Sequence, residues 1–349
     1  MSSRYQVAEL EAFTSAIFRT VGVKPDHADI VGKRLVEADL RGRTGHGLIR
    51  VEPYVQRIEA GGVNLDPDIR ILHETPVSAH FDGDNGMGQV VMTMAAEVAI
   101  AKAEAVGMAW VGTVHSNHAG AAGIYPAMAA KRGLIAMYFA VANANGMPPW
   151  GGIEPILGTN PIAIALPAGD GIPFLLDIAT TVASHGTIKV VAQAGEQMPV
   201  GWVADADGNP ITDPTKANEG FLLPIGGYKG AGLNIAIGLL AGAMNGAAFG
   251  KTVVDHRKHL AVPTNTGQAM LVMRSDLMLP PEEVLASIDA HLEQLRSSRT
   301  TSGERVRLPG DGAHAAEVEN LQIGIPLPDQ LRHSLNELAA RLGVVTQLD

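Results

Sequence analysis

Two apolar runs, LIAMYFAVA (Leu134–Ala142) and IAIALP (Ile162–Pro167), are held apart by nineteen residues, NANGMPPWGGIEPILGTNP, that suit neither a helix nor a fully paired strand. Its paired prolines remove backbone donors and its asparagines offer amides that compete with the main chain. A chain with this stretch must fold into strands that meet at a long irregular loop, and something other than a ladder must hold that loop. Loops of this length inside a compact domain usually belong to a site. An ordered surface loop without chemistry is the alternative.

The chain has 349 residues, enough for two domains of ordinary size or one large one. Hydrophobic residues make up 46% and charged residues 18%, so a substantial core needs no disulfides. Cysteine is absent, which excludes a disulfide scaffold, a cysteine nucleophile and thiolate metal sites. With 26 basic and 36 acidic residues the formal charge is -10, and no basic run offsets it, so a nucleic-acid partner is not expected. The start, MSSRYQVAEL, lacks the layout of a signal peptide. The most membrane-like segment, 230–250, is interrupted by Asn234, Asn245 and glycines, and reads as a buried helix. A soluble, cytoplasmic protein without a membrane partner is expected. Forty glycines, 21 prolines and 4% aromatic residues in an apolar chain suggest an α/β core with tight loops.

Helices fill the first sixty residues. QVAELEAFTSAIFRTVG has apolar residues at helical spacing, and Pro25 opens a second run ending before Gly42. After a glycine break around His46, LIRVEPYVQRIEAGG places Arg50 and Tyr54 four apart, so His46, Arg50 and Tyr54 are expected to point the same way. Short strands follow over 69–81, then a helix closed by Gly107 and a buried strand, Met108–His115. That strand enters SNHAGAAGIYPAMAAKRG, where Ser116 or Asn117 is expected to cap a helix ending at Gly133. His118 would then sit at a helix N-terminus, where dipole and burial both favour neutral imidazole, either as a proton carrier or as part of the cap.

Asp177 ends the apolar run PFLLDI and is either a ligand contact or a cap for ATTVASHG. GWVADADGNPITDP (201–214) resembles a hairpin; its DADG lacks the rest of a calcium loop, so no metal is expected. In LLPIGGYKGAGL, Gly226, Gly227, Gly230 and Gly232 lead into a helix with Lys229 among them, suiting either a phosphate or close helix packing. Neither a Walker loop nor a GxGxxG after a strand occurs. The last quarter shows a strand (QAMLVMRS), a helix (EEVLASIDAHLEQLRSS), the basic loop 305–312 and a final helix (PDQLRHSLNELAARLG). That loop could close on a cofactor phosphate, or be a solvated charge cluster.

ADLRGRTGHGLIRVEPY, HSNHAGAAG, PPWGGIEPILGTNPIAIALP, FLLDIATT, GWVADADGNP, LLPIGGYKGAGL and RLPGD stand in the order and spacing of one family, over nearly the whole chain. The sequence resembles the malate/L-lactate dehydrogenase-like oxidoreductases, a group similar to ureidoglycolate and sulfolactate dehydrogenases and to the cyclic imino acid reductases. The resemblance implies an α/β fold with a non-Rossmann NAD(P)-binding domain (116–299) and a largely helical, substrate-side domain from both chain ends (1–115 and 300–349). It implies a homodimer that uses NAD(H) or NADP(H) on a small carboxylate substrate. His46 matches the proton donor, with His118 the carrier in some relatives, and Arg50 matches the substrate-carboxylate ligand. Tyr54 lies beside them and Thr159 matches a substrate contact. Asn117, His118, Ala119, Gly120 and Ala121 match cofactor contacts, as do Asp177, Ile178, Ala179, His185, Gly186, Gly227, Tyr228, Arg307, Pro309 and Gly310. The nineteen-residue loop then becomes a rigid wall between substrate and nicotinamide, closed to water.

The chemistry suits these residue types. Reduction of a carbonyl leaves an alkoxide that must gain a proton, which an imidazole can give, while a guanidinium offers two parallel donors to a carboxylate. Four positions depart from the family: Gly45 replaces a serine, Thr187 an aspartate, Tyr228 a histidine and Gly238 a glutamate. These changes favour a 2-oxo acid reductase over the alternative, a cyclic imine reductase. A catalytically silent dinucleotide-binding subunit is the reading from another class.

Overall fold

The computed structural model describes residues 3–301 and 303–349. The chain opens with β1 (Ser3–Tyr5), α1 (Val7–Thr20) and α2 (Pro25–Leu40). Two short 3-10 turns, Thr44–His46 and Leu48–Arg50, lead into α3 (Val51–Glu59). Next come β2 (Arg70–Thr75), β3 (Ser78–Asp82), α4 (Gly88–Val106), β4 (Met108–Val114), α5 (Ile124–Ala130) and β5 (Leu134–Ala140). After the long loop follow β6 (Ile162–Leu166), β7 (Phe174–Ile178) and α6 (His185–Ala194). The short strands β8 (Val203–Ala204), β9 (Pro210–Ile211) and β10 (Phe221–Leu222) precede α7 (Tyr228–Ala241). The chain closes with β11 (Gln268–Arg274), α8 (Pro281–Arg296), α9 (Asp311–Ile323), β12 (Ile325–Leu327) and α10 (Asp329–Leu342).

Seven strands form one sheet in the order β2-β3-β4-β11-β5-β6-β7, in which only β3 and β4 pair in parallel. A Rossmann unit is built on parallel strands, so this sheet is of another kind, as the missing glycine fingerprint suggested. α4 lies on β4 and β11 through a stripe of buried alanines, Ala95, Ala96, Ala99 and Ala103, whose small side chains bring helix and sheet close. A separate core joins α1, α2 and α3 to α10, β1 and β12, so a helical layer is built from both ends of the chain. The sheet itself takes strands from both sides of residue 115, since β4 pairs with β11 in a continuous register from Thr113–Gln268 to Met108–Met273.

One local expectation needs correction, and two features were not expected. The helix expected from Ser116 or Asn117 begins only at Ile124, because the Asn117 amide donates to the 85–86 turn rather than capping a helix. α9 was not expected; its sequence, DGAHAAEVENLQI, follows a loop and has no sharp apolar face. The pairing of β1 with β12 rests on three residues each, too few to show alternation.

The nineteen-residue loop is clasped by side-chain amides. Met147 and Leu157 exchange backbone hydrogen bonds, both at 2.9 Å, which closes the loop on itself. At its base Asn160 adopts φ 21, a conformation asparagine tolerates better than most residues. Its Oδ1 accepts from the Ala142 amide at 3.0 Å and its Nδ2 donates to Asn234 Oδ1 at 2.9 Å. Asn234, on α7, donates in turn to the Gly158 carbonyl at 2.8 Å and to Thr180 Oγ1 at 2.7 Å. Asn160, Thr180 and Asn234 are all fully buried. The loop tip, residues 150–155, is exposed, so only its base forms a wall; the expectation of a loop closed to water fails at the tip. Removing the hub leaves several buried polar groups without partners. Asn234→Ala is therefore expected to lower stability by about 2–4 kcal/mol in urea denaturation, against less than about 1 kcal/mol for an exposed polar change such as Asn209→Ala.

Candidate active site

The site grows from the end of α2. Asp39 is buried, and its Oδ2 accepts the Leu48 amide at 2.7 Å, which fixes the link between the two 3-10 turns. A Cβ at Gly47 would come within 2.2 Å of that carboxylate, so only glycine lets the turns close over it. Burial pushes the Asp39 carboxyl up to about 7. The turns so held carry His46 and Arg50. Arg50 donates Nε to the Gly45 carbonyl at 2.7 Å, which aims the guanidinium and leaves both terminal nitrogens without a partner among the described residues. A Cβ on Gly186, at the start of α6, would lie 3.9 Å from Arg50 Nη2, so the helix N-terminus faces the same space.

Three imidazoles stand in a row beside this arginine. His46 and His118 stack at 5.8 Å with their planes 9° apart, and His256 follows His118 at 5.8 Å with a tilt of 47°. Tyr54 approaches His118 Nδ1 at 2.6 Å, and the Gly120 amide points at the same nitrogen at 3.3 Å. An amide can only donate, so Nδ1 is an acceptor and the neutral ring carries its proton on Nε2. Gln89 Nε2 donates to the Tyr54 oxygen at 3.0 Å, which leaves the tyrosine hydrogen free for His118. Burial pushes the Tyr54 phenol up to about 12, so it stays a neutral donor. No hydrogen bond fixes either His46 nitrogen among the described residues.

Burial also lowers the imidazoles. His46 is pushed down to about 4, with Arg50 and Arg43 adding to the effect. His118 is held well below the usual range by burial, then by Arg50, His46 and His256. His256 falls to about 4 through burial, Arg57 and Arg50. The helix dipole expected at His118 is not the cause, since α5 starts six residues later. His256 had no sequence signal: it is one histidine in a charged run, DHRKH, and reaches the row because buried Arg57 holds the carbonyls of His256, His259 and Val262 at 3.1–3.3 Å.

Other anticipated residues fall into three groups. Asn117 is buried with its side-chain amide fully engaged, donating to Asn85 and Gly86 and accepting from Arg57 at 3.3 Å and Thr264 at 3.1 Å, so that amide shapes the turn beside the row. Ala119 and Ala121 are buried beside it, and Gly120 lies next to the His46 carbonyl. A second group lines β7, an edge strand whose residues are all half-buried. Asp177 there lies 4.0 Å from Arg43 and beneath Gly123, with burial raising its carboxyl. Ile178 and Ala179 continue this half-open edge. The Pro309 carbonyl accepts the Leu175 amide at 3.2 Å, which lays the loop of Arg307, Pro309 and Gly310 along the strand. The α6 cap is Ser184 rather than Asp177, with Thr187 donating its amide to Ser184 Oγ at 3.1 Å.

The third group comes from the long loop and the starts of α6 and α7. Thr159 joins Thr180 through its carbonyl, at 3.0 Å from the Thr180 amide. Gly227 caps α7, and exposed Tyr228 meets Trp150 edge-on at 6.4 Å. His185 opens α6 with its Nε2 buried and unpartnered against Gly146, and burial pushes it down to about 4. A Cβ on Gly238 would meet the Phe249 ring at 2.0 Å, which explains why no glutamate stands there. Among the described residues no cluster of His, Asp or Glu is placed to hold a metal ion.

These histidines set an acid limit. Folded values near 4 for His46, His185 and His256, against an ordinary 6.5, mean that the unfolded chain binds more protons between those pH values. Their stability is present above 6.5 and lost as pH falls through 4, and burial lowers His27 and His118 as well; the raised carboxyls Glu11, Asp39 and Asp177 act oppositely but are fewer. The melting temperature is expected to fall steadily from pH 7 to pH 4 in calorimetry, and His185→Leu to flatten that fall. A level profile over this window would contradict the assignment.

Comparison with known proteins bears on the whole chain. The family model described as malate/L-lactate dehydrogenase matches residues 5–336. The chain is 38% identical to the malate dehydrogenase of Pyrococcus horikoshii, over 96% of this chain and 94% of that protein. It is 34% identical to the ureidoglycolate dehydrogenase (NAD(+)) of Escherichia coli K12, over 89% and 88% of the two chains. Identity to the (2R)-3-sulfolactate dehydrogenase (NADP(+)) of Chromohalobacter salexigens is 32%, over 95% and 98%. The solved structure of the P. horikoshii malate dehydrogenase superposes with a TM-score of 0.90 at 35% identity, covering 99% of this chain and 97% of that one. With the match running through both helical and sheet regions, the chain belongs to the malate/L-lactate dehydrogenase family.

Proposed function

We propose that the protein interconverts a small 2-oxo acid and its 2-hydroxy acid with NAD(P)(H), using Arg50 to hold the carboxylate and His46 to carry the proton. One observation carries the reading most: an arginine with both terminal nitrogens free faces the same space as an imidazole that no hydrogen bond commits. Arg50 can bind a carboxylate with two parallel bonds. The first amides of α6, at His185 and Gly186, lie outside the Ser184 cap, and the helix N-terminus beside Arg50 favours the same anion.

The two histidines take different parts. His118 has its proton fixed on Nε2, and giving it up would leave an imidazolate, so it polarises the oxygen on C2 by donating a hydrogen bond. His46 has neither nitrogen committed among the described residues, so it can take a second proton from solvent. As the imidazolium it gives that proton to the oxygen in reduction and returns to neutral imidazole, and in oxidation the neutral ring takes the proton back. Because His46 is lowered to about 4, oxidation gains from a ready base at neutral pH, whereas reduction weakens as pH rises.

The half-open β7 edge fits a dinucleotide. Pro309, Gly310 and Arg307 would hold one end of NAD(P)H, with Asp177, Ile178 and Ala179 along the strand and Gly227 and Tyr228 at the α7 N-terminus; when bound it supplies the hydride. The cyclic imine alternative gains no support from Thr187, whose hydroxyl is 2.9 Å from Ser184 Oγ in the α6 cap. A second copy of the chain is expected to cover β2, whose residues 70–74 are exposed on both faces and include Ile71 and Leu72.

In steady-state assays following NAD(P)H absorbance with a panel of 2-oxo acids, His46→Ala is expected to lower kcat by about 10²- to 10⁴-fold with little change in KM. Arg50→Ala should mainly raise KM. Tyr54→Phe removes the closer of the two donors to His118 Nδ1 and leaves the Gly120 amide, and we expect roughly a tenfold lower kcat. If His118→Ala proves more damaging to kcat than His46→Ala, the two roles are exchanged. No turnover of any 2-oxo or 2-hydroxy acid would leave the silent-subunit reading instead.

A further inference from the structure

Resting on the reading that the substrate carboxylate lies on Arg50, we propose that His256 selects what stands at the far end of the substrate, taking a distal anion, carboxylate or sulfonate. His118 is the middle of the row, with His46 and His256 each 5.8 Å from it. In a four-carbon dicarboxylate the two carboxyl carbons are roughly 4 Å apart when extended, a span that reaches from the oxygen-holding centre towards the next ring. His256 also lies close enough to Arg50 for the two to influence each other's charge, so it borders the same space.

The backbone of His256 is held from both sides. Its amide donates to the Asn143 carbonyl in the base of the long loop at 3.1 Å, and its carbonyl accepts from Arg57 Nη1 at 3.2 Å. The ring, by contrast, has no hydrogen-bond partner among the described residues. A histidine with a clamped backbone and an uncommitted ring is built to meet something that is not part of the chain. The void beside it, about 10 Å³ between Tyr54, Arg57, Asn117, His118 and His256, has room for about one water, so the ring is not packed tight on every side.

The charges around the ring favour an anion. Asp255 is the neighbouring carboxylate, and Arg257 binds both its oxygens, at 3.0 and 2.9 Å, which turns it away from the role of a partner. Burial, and then the cations Arg57, Arg50 and Arg257 around the ring, hold it neutral. A distal anion reverses that balance: it accepts a hydrogen bond from the imidazole and favours the imidazolium, giving a charge-assisted pair in a sheltered site. A methyl group at the same place, as in a three-carbon 2-oxo acid, offers His256 nothing.

The test compares pyruvate, oxaloacetate and 3-sulfopyruvate as substrates of the full-length enzyme with NAD(P)H, for the native chain, His256→Leu and His256→Asn. The native enzyme is expected to favour at least one of the two anion-bearing substrates, and which one names the distal group. His256→Leu should lower kcat/KM for that substrate roughly 30-fold or more and change pyruvate by less than about threefold. His256→Asn, which keeps a donor, should restore part of the loss. An equal loss on all three substrates would overturn the proposal and make His256 a support for His118; no loss on any, or a native preference for pyruvate, would also overturn it. Absence of turnover by the native enzyme on every substrate would instead overturn the reaction on which it rests. Melting curves and NADH-binding fluorescence of both variants separate these outcomes from misfolding.

Discussion

The hydrogen-bonded trio of Asn160, Asn234 and Thr180 is the point from which most of the site takes its shape. Three segments meet there: the base of the long loop, the exit of β7 and the first turns of α7. None could be joined by a regular ladder, because the loop carries prolines and the other two leave sheet and helix at that place. Fully buried amides are costly unless satisfied, and here each is satisfied by a segment the site needs. The same asparagine that interrupts the apolar run of α7, and so argues against a membrane span, is therefore what ties that helix to the loop. Among the described residues no helix is long and apolar enough to cross a membrane.

A second constraint is electrostatic. The chain as a whole carries -10, yet Arg43, Arg50 and Arg57 gather around the histidine row, and the nearby carboxylates Asp177 and Asp255 face Arg43 and Arg257. An acidic protein that concentrates cations in one sheltered space is arranged for a small anion rather than a polyanion. The same cations, with burial, explain why the imidazoles are neutral. Desolvation disfavours their charged form, and each arginine adds to that, so protonation of His46 or His256 becomes favourable mainly when an anion arrives.

Sequence patterns revealed the helices of the first sixty residues because their apolar spacing is regular, and revealed the core strands because they are nearly continuous apolar runs. His46, Arg50 and Tyr54 could be placed together because a short break and a four-residue helical step leave few directions for them. What stayed hidden depends on contacts distant in sequence. Asn117 reads as a cap until Asn85, Arg57 and Thr264 are seen to engage its amide. His256 has no local pattern at all, and enters the site only through Arg57, some two hundred residues earlier. Asp39 sits inside an ordinary helix, and its importance appears when Leu48 and Gly47 fold over it.

The altered positions now have physical reasons that bear on how the site works. Gly238 is required by the Phe249 ring, and Thr187 belongs to the cap of α6, so neither position offers a carboxylate to the substrate side. Gly45 offers no side chain, but its carbonyl holds Arg50 Nε. The assisting role that an acid or hydroxyl beside His46 would have played is thus replaced by position: a stacked neighbour with a fixed tautomer, and an arginine aimed by the backbone. Such a site depends less on tuning the basicity of His46 through a partner and more on excluding water from it. Its proton chemistry should then follow the identity of the bound anion, which supplies the negative charge that no neighbouring side chain provides.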